Sequence, residues 1–425
     1  MGRDFGRGPF AAAGAALGGG PGALHLDGTL AMSPTPLAMD GIRVFDLTQG
    51  IAGPYSTMLM AAHGAEVIKV EPPGGDWIRH ARNQIRGHAP AAIAVNVGKK
   101  SIQLDLKNAD DLATAQSIAR TCDVVVESYR PGVVERLGLG AAQLRADSPA
   151  LIYCSVTGFG RDSRLCDRPV IDHIAQAYSG WMHINADESG APQRTRNVVL
   201  ADQITGLYAY QAIASALLRR FRFGTGGALE VTLAGSMAAF LAPRIISSAL
   251  SDGKVGNAEF TAPTGDYPTR QGVLVVAVQK PADVQRLFAM LERADVLQDA
   301  RFATPQARAQ NADALRRELA TILQDRTAAQ WEEQLAPHGV MVCEARDIAQ
   351  FMAAQRSDGV DVIETLDLPG VGPCPLVKVP GAPPWQGRRS APRFPQVGED
   401  LQHILDQLGR SPRPASAIAT EHHNP

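Results

Sequence analysis

The segment GIRVFDLTQGIAGPYSTMLMAAHGAEVIKVE (residues 41–71) already indicates the class of fold expected for this 425-residue chain. It begins with an apolar run over 41–47, which is typical of a buried strand. Gly53 and Pro54 then predict the start of a helix, because proline suits the first helical turn, where its missing N–H is not needed. A second apolar run over 66–71 predicts another strand. This order of elements predicts a parallel βαβ unit.

The same alternation of strands and helices continues on the C-terminal side of this segment. Further apolar runs predict strands over 101–106, 123–128, 150–156 and 228–233. The sequence between and around them predicts helices over 109–120, 172–182 and 203–221, and one more helix that ends near Leu250. We therefore predict an α/β fold whose large, Rossmann-like domain holds a parallel sheet with helices on both faces.

Changes in composition predict how the rest of the chain is organised. The Gly-, Ala- and Pro-rich N-terminus predicts a disordered extension, with a targeting peptide or an upstream start codon as alternatives. Residues 251–270 are loop-like, and the apolar run GVLVVAV at 272–278 opens a smaller α+β unit. The predicted divisions are an extension (1–36), the first part of the large domain (37–235), a linker (236–270), a small domain (271–338), a linker and return to the large domain (339–412) and a tail (413–425).

Charge and cysteine content exclude several classes of protein. A net charge of −2 argues against a generally basic nucleic-acid-binding protein. No apolar run approaches the roughly 18 residues of a membrane span. The five cysteines include no CxxC pair, which argues against a disulfide scaffold or a zinc ribbon. Scattered single cysteines suit a reducing compartment, so we predict a cytoplasmic protein with no bound metal.

Asp202 is the first candidate for chemistry. It stands at the start of the apolar helix predicted over 203–221. The pattern alone favours a helix cap, because Asp is a preferred N-cap residue. The alternative is a carboxylate nucleophile that the N–H groups of the helix end keep ionised. Asp172 precedes another predicted helix with the same ambiguity, and the neighbouring His173 is more typical of a structural histidine.

Basic residues collect in the first part of the predicted sheet, several of them at strand ends, where α/β sheets bind ligands. They are Lys69, Arg79, Arg82, Lys99, Lys100, Lys107, Arg130 and Arg136. A polyanion such as a nucleotide or coenzyme A would suit them, and a solvated surface is the alternative. The glycine turn after the first strand lacks the GxGxxG pattern and the Walker lysine, so it indicates neither a dinucleotide site nor a P-loop.

Six blocks of sequence, taken in order, resemble the class III CoA-transferases, the group that contains formyl-CoA transferase and carnitine CoA-transferase and is related to α-methylacyl-CoA racemase. The blocks are 41–79, NVGKKSIQLDLK (96–107), DVVVESYRPGVVERLGL (123–139), LIYCSVTGFG (151–160), DHIAQAYSG (172–180) and 200–233. Each block is modest by itself. The six together, in the family's order and spacing, are highly specific.

The resemblance implies roles for individual residues. Asp202 corresponds to the aspartate that carries the acyl group in these enzymes, which outweighs the capping alternative. The family's contacts to CoA correspond to Leu104, Asp105, Leu106, Lys107, Ser128, Tyr129 and Arg136. Ser128 stands where the family usually has asparagine.

The resemblance also implies an architecture and a reaction. It implies a Rossmann-like domain whose parallel sheet is formed from both chain ends, a smaller inserted α+β domain, and a homodimer of interlocked chains. The implied reaction transfers CoA from an acyl-CoA to a small free carboxylic acid. The CoA thioester is then a substrate, no cofactor is permanently bound, and neither nucleic acid nor membrane is a partner.

Two alternatives stay open. One is an acyl-CoA racemase or isomerase of the same superfamily. Such racemases use a histidine directly before the aspartate at the start of the helix at 172, and Ile171 cannot replace that histidine in proton transfer. The other alternative is a non-catalytic CoA-binding protein, which would be indifferent to the loss of Asp202. Arg194 and Arg196 are candidates for holding a second carboxylate of the substrate, with a surface role as the alternative.

Overall fold

The computed structural model of the chain describes residues 36–187, 189–253, 262–388 and 391–410. The predicted tail lies outside these ranges, as does the predicted extension except for Pro36. A six-stranded sheet organises the first half of the described chain. Its strands are β1 (Arg43–Leu47), β2 (Glu66–Glu71), β3 (Lys100–Gln103), β4 (Val124–Glu127), β5 (Ile152–Thr157) and β6 (Gly227–Thr232).

All neighbouring strands of this sheet are parallel, in the order β3-β2-β1-β4-β5-β6. The predicted parallel α/β sheet is therefore confirmed. The strand order reverses between β1 and β4, and in open α/β sheets a ligand crevice forms at such a point, beyond the carboxyl ends of the strands.

Helices cover both faces of the sheet and continue beyond it. Those of the first half are α1 (Ala52–Ala62), α2 (Pro90–Asn96), α3 (Ala109–Ala119), α4 (Val133–Arg136), α5 (Ala141–Asp147), α6 (Asp172–Tyr178), α7 (Trp181–Ile184), α8 (Leu200–Phe223), α9 (Leu233–Phe240) and α10 (Ala242–Leu250). Those of the second half are α11 (Pro281–Met290), α12 (Pro305–Gln310), α13 (Ala312–Ile322), α14 (Ala328–Leu335), α15 (Ile348–Ser357) and α16 (Leu401–Arg410).

Alternation of side chains along the strands divides the core of the sheet into two layers. Val44 and Val67 pack on the face covered by α1, α2 and α8. Their neighbours Phe45 and Ile68 pack on the opposite face, against α3, α4, α5 and α16. Both faces are therefore buried, as the continuous apolar runs of the strands require.

The expectation that both chain ends supply strands to this sheet is wrong. All six strands come from residues 43–232, and the C-terminal end contributes α16 instead. The segment 379–397 before α16 carries five prolines, which cannot donate to a strand ladder. The return to the sheet is fixed at Asp400, whose Oδ2 accepts the Ser101 N–H at 2.8 Å, and at Ile404, which is buried against the sheet.

Two predicted helices are each divided in two. The helix predicted over 172–182 breaks at Gly180, whose φ of +83° is left-handed, into α6 and α7. The helix after β6 breaks near Leu241, just before Pro243, into α9 and α10. Within the described ranges no single helix is long and apolar enough to cross a membrane. Only the pair α9–α10, which is bent by 70°, has together the length and the apolar composition of a membrane span.

The second half of the chain has a core of its own. Antiparallel strands β7 (Gly265–Pro268), β8 (Val273–Ala277) and β9 (Met341–Glu344) pack with α11, α13 and α14 around residues such as Phe288 and Trp331. The expectation of a loop over 251–270 is wrong at β7. The pairing of β7 with β8 could not be predicted from a short segment that contains Pro268. A hairpin of β10 (Ile363–Leu368) and β11 (Gly372–Val377) follows. The predicted domain boundaries stay a prediction.

Candidate active site

A cavity of about 1200 Å³ opens at the carboxyl ends of β1, β4 and β5, where the strand order reverses. Its walls come from the β1–α1 turn, the segment after β4, the loop between β5 and α6, and the segment that leads into α8. Small-molecule sites commonly enclose about 300–1,000 Å³. The cavity is therefore large enough for an extended ligand together with a second small molecule.

The β1–α1 turn forms one wall and depends on glycine. Gly50 has a φ of +80°, and a Cβ there would lie 2.6 Å from the Trp77 ring. A Cβ on Gly53 would collide with Thr48. This tight turn places the first residues of α1 at the cavity, and no side chain caps that helix end in the described structure. Its free N–H groups can receive an anionic oxygen.

Buried ion pairs hold this turn from behind. Lys69 Nζ lies 2.9 Å from Asp76, and Asp76 accepts the Gly50 N–H. Lys99 Nζ lies 3.0 Å from Asp46, and both side chains are fully buried. These two lysines were among the basic residues expected to suit a polyanion. That expectation is wrong for them, because paired and buried cations cannot reach a ligand.

Asp172 caps the start of α8 from a neighbouring helix. Its Oδ2 accepts the N–H of Ala201 at 2.6 Å and that of Asp202 at 3.2 Å, and its Oδ1 accepts Gln176 Nε2 at 2.5 Å. The residue at the N-cap position of α8, Val199, offers no side-chain hydrogen bond. Asp202 therefore does not cap its own helix, and the capping role passes to a residue thirty positions earlier.

Asp202 projects from the first turn of α8 and lines the cavity. Burial and the nearby negative charge of Asp172 raise the pKa of Asp202 from 3.8 to about 7. The expectation that helix-end N–H groups keep this carboxylate ionised is wrong, since Asp172 already occupies those groups. A carboxylate with a raised pKa is more basic, and hence more nucleophilic once ionised, than an ordinary aspartate.

The predicted contacts to CoA fall into two sets. Ser128 and Tyr129 line the cavity with Asp202, and Ser128 Oγ accepts the Gln49 N–H at 3.2 Å. The segment 104–107 follows β3 at the same edge of the sheet but does not line the cavity, and Leu104 is buried in the core. Arg136, at the end of α4, is also outside the cavity wall.

Several cavity residues were not predicted as parts of the site. Gln49 lies two residues beyond β1, so its position past a strand end was a usable signal. Arg130, in contrast, was among the basic residues expected to suit a polyanion, and it does line the cavity. Arg168 lies in a loop with no comparable signal. His173, considered structural, is exposed and lines the cavity beside the exposed Ile171. In the described part of the chain no group of three or more His, Cys, Asp or Glu side chains is placed to hold a metal ion.

Comparisons with known proteins identify the family of this chain. The model of a family described as CoA-transferase family III matches residues 39–401. The chain is 33% identical over 390 residues to a succinyl-CoA:glutarate CoA-transferase of Mus musculus, covering 88% of this chain and 86% of that protein. It is 33% identical over 316 residues to an acetyl-CoA:oxalate CoA-transferase of Acetobacter aceti, covering 73% and 81%. A crystal structure of a CAIB/BAIF family protein from Brucella suis matches with a TM-score of 0.77 at 29% identity, covering 88% of this chain and 100% of that one.

Proposed function

This chain belongs to CoA-transferase family III, and from that membership we propose that it moves CoA from an acyl-CoA thioester to a small free carboxylic acid through an acyl anhydride on Asp202. One observation carries the choice of residue. Asp202 lines the cavity at the switch point of the sheet with a pKa raised to about 7, so near neutral pH it is partly ionised and more basic than an ordinary aspartate.

The transfer proceeds in four balanced steps at the carboxylate. Asp202 Oδ attacks the thioester carbonyl, the C–S bond breaks, and a mixed anhydride and the CoA thiolate form. The thiolate then attacks Asp202 Cγ and releases the donor as a free acid. The acceptor carboxylate attacks the resulting aspartyl thioester and expels the thiolate, which forms a second anhydride between the acceptor and Asp202. Finally the thiolate attacks the acceptor carbonyl, which releases the new thioester and regenerates Asp202.

The overall reaction exchanges one thioester and one carboxylate for another thioester and another carboxylate, which is nearly isoenergetic, so it needs neither ATP nor a redox partner. The anhydride must be kept from water, and the burial that raises the pKa of Asp202 serves that need. The N–H groups at the start of α8 are occupied by Asp172. The N–H groups at the start of α1, which no side chain caps and whose residues line the same cavity, are better placed to stabilise the oxyanion.

The acyl-CoA is proposed to lie along the wall formed by Ser128 and Tyr129, with its thioester at Asp202. The segment 104–107 and Arg136, predicted contacts outside the cavity wall, would then meet the nucleotide end of CoA at the edge of the sheet. The segment 104–107 follows β3 at that edge, and Arg136 ends α4, the helix that follows β4. These contacts rest on the family resemblance alone.

A homodimer is proposed as the working form, because the described chain leaves extended apolar faces uncovered. Helix α10 buries no residue, and Ile246 and Leu250 on it are 59% and 84% exposed. Phe221 and Phe223 at the end of α8 are also exposed. A second copy, interlocked as the family resemblance implies, would cover such faces. We also propose a cytoplasmic location, which the five unpaired cysteines support.

Oxygen labelling tests the proposed path. In each turnover the bridging oxygen of the second anhydride stays on Asp202, so an acceptor labelled with ¹⁸O must transfer label to this side chain. Peptide mass spectrometry after turnover is expected to find the label on the peptide that contains Asp202. Transfer activity without label there would contradict the path, and α-proton exchange in heavy water without any acceptor would support the isomerase alternative instead.

A further inference from the structure

We propose that Arg194 and Arg196 hold the distal carboxylate of a dicarboxylate acceptor. This inference rests on the proposed function, because it names the class of acid that enters the same cavity. Both arginines line the cavity together with Asp202. They lie on the short segment that leads directly into α8, so they stand on the side of the cavity where the acyl group is transferred.

Thr195, between the two arginines, is fixed to the protein interior. Its N–H donates to Gln176 Oε1 at 2.9 Å, and its Oγ1 accepts Trp181 Nε1 at 2.8 Å. Gln176 in turn donates to Asp172, which caps α8. The segment that bears the arginines is therefore tied to the same hydrogen-bond network that positions Asp202, and the two arginine side chains are left on the cavity side.

Neither guanidinium has an ion-pair partner among the described residues. Asp187, a described acid close to them in sequence, is used by its own turn, where it accepts hydrogen bonds from Ser189, Ala191 and Gln193. Two exposed guanidinium groups that form an ion pair with none of the described acids suit an anion, and the guanidinium fork matches the two oxygens of a carboxylate.

The position of the pair favours the acceptor acid over the phosphates of CoA. The proposed CoA wall, Ser128 and Tyr129, follows β4 and continues into Arg130, so a cation is already present there. The phosphates are separated from the sulfur by the long pantetheine arm. A short dicarboxylate instead has one carboxylate at Asp202 and the other only a few carbons away, which suits residues on the segment that enters α8.

Acceptor preference tests this assignment. We would compare glutarate with pentanoate, and succinate with butanoate, in the wild type and in the single and double variants Arg194→Gln and Arg196→Gln. The wild type is expected to prefer the dicarboxylates. The double variant should lose about 10–100-fold of that preference, because its KM for the dicarboxylate acceptor rises. Arg→Lys variants should keep part of it. The matched control is Arg164→Gln, since Arg164 is exposed and lies outside the cavity wall. This variant should change neither the acceptor preference nor the KM for the dicarboxylate.

A binding measurement separates this proposal from the proposed function. Calorimetric titration of glutarate into Asp202→Asn, which cannot turn over, should show binding that the added double arginine substitution weakens by a similar factor. No binding of glutarate, or equal binding of pentanoate, would overturn the dicarboxylate assignment even if acyl transfer occurs. A higher KM for the acyl-CoA donor with unchanged acceptor preference would assign the arginines to CoA instead.

Discussion

Asp172 and Asp202 are two carboxylates in neighbouring positions with different surroundings. Asp172 accepts three hydrogen bonds, from Ala201, Asp202 and Gln176. The Asp202 carboxylate accepts none from the described residues, and burial beside Asp172 raises its pKa. Such different surroundings of two neighbouring acids indicate different roles for them. Asp172 is a positioning residue, and Asp202 is the residue that we propose reacts.

The raised pKa of Asp202 predicts a pH dependence of acyl transfer. Only the ionised carboxylate attacks the thioester, so kcat/KM for the acyl-CoA donor should rise about tenfold per pH unit below pH 7 and level off above it. The measurement is kcat/KM from pH 5 to 9 at saturating acceptor. A profile that is flat down to pH 5 would indicate an ordinary aspartate or another nucleophile.

Asp172→Asn is the companion variant for this profile. Asparagine keeps one acceptor oxygen for the start of α8 but removes the negative charge that helps to raise the pKa of Asp202. The inflection of the profile should therefore move to lower pH. An unmoved inflection in a variant of normal Tm would show that burial alone sets the pKa.

The same pKa predicts how stability changes with pH, independently of any substrate. The folded-state pKa of about 7 exceeds the unfolded value of 3.8, so ionisation of Asp202 costs stability as pH rises between these values. Asp202→Asn should match the wild type near pH 4 and be more stable by about 1–3 kcal/mol at pH 8, a figure reduced for the partial exposure of the side chain. Urea denaturation at both pH values measures this, and an equal difference at both would contradict it.

Among the elements, α1 and α8 set the geometry of the site because they pack against each other at Gly206. A Cβ there would lie 2.7 Å from the Ala52 carbonyl oxygen and 2.9 Å from the Tyr55 ring. This close approach brings the start of α8 next to the β1–α1 turn. The distance between Asp202, the proposed nucleophile, and the N–H groups at the start of α1, the proposed oxyanion donors, therefore depends on one glycine at a helix crossing.

Gly206→Ala should separate the two helices. We expect a loss of about 1–3 kcal/mol in the free energy of unfolding, together with a lower kcat, because overpacking displaces backbone as well as side chains. Gly409→Ala in α16 is the control, since its Cβ would meet nothing within 4 Å. A Gly206 variant with the stability and kcat of the wild type would show that the crossing does not position the site.

Strands and helices were predictable wherever the pattern is local. The strand predicted over 66–71 coincides with β2, and the predicted α/β alternation is confirmed. What could not be predicted are the long-range contacts. The burial of Lys69 and Lys99 depends on Asp76 and Asp46, and the capping of α8 depends on a residue of α6, and no spacing in the sequence encodes these partners.

For the protein as a whole, the exposed apolar face of α10 predicts self-association. Ile246→Glu should hinder assembly as the chains fold and interlock, and so leave more monomer, because a carboxylate would be buried without a partner at the interface. Ser248→Glu, an exposed polar position on the same helix, should leave the dimer intact. Sedimentation equilibrium measures both. A monomeric wild type, or a dimer unaffected by Ile246→Glu, would contradict this interface.

Trapping of the acyl-enzyme with hydroxylamine shows whether Asp202 carries the transferred group. The protein would be incubated with a panel of acyl-CoAs, quenched with hydroxylamine and mapped by peptide mass spectrometry, with Asp202→Asn as the control. We predict a hydroxamate on Asp202 that requires an acyl-CoA and is absent from the control. Catalysed CoA transfer with Asp202 unmodified, or full activity of Asp202→Asn, would contradict the proposal that Asp202 carries the transferred group.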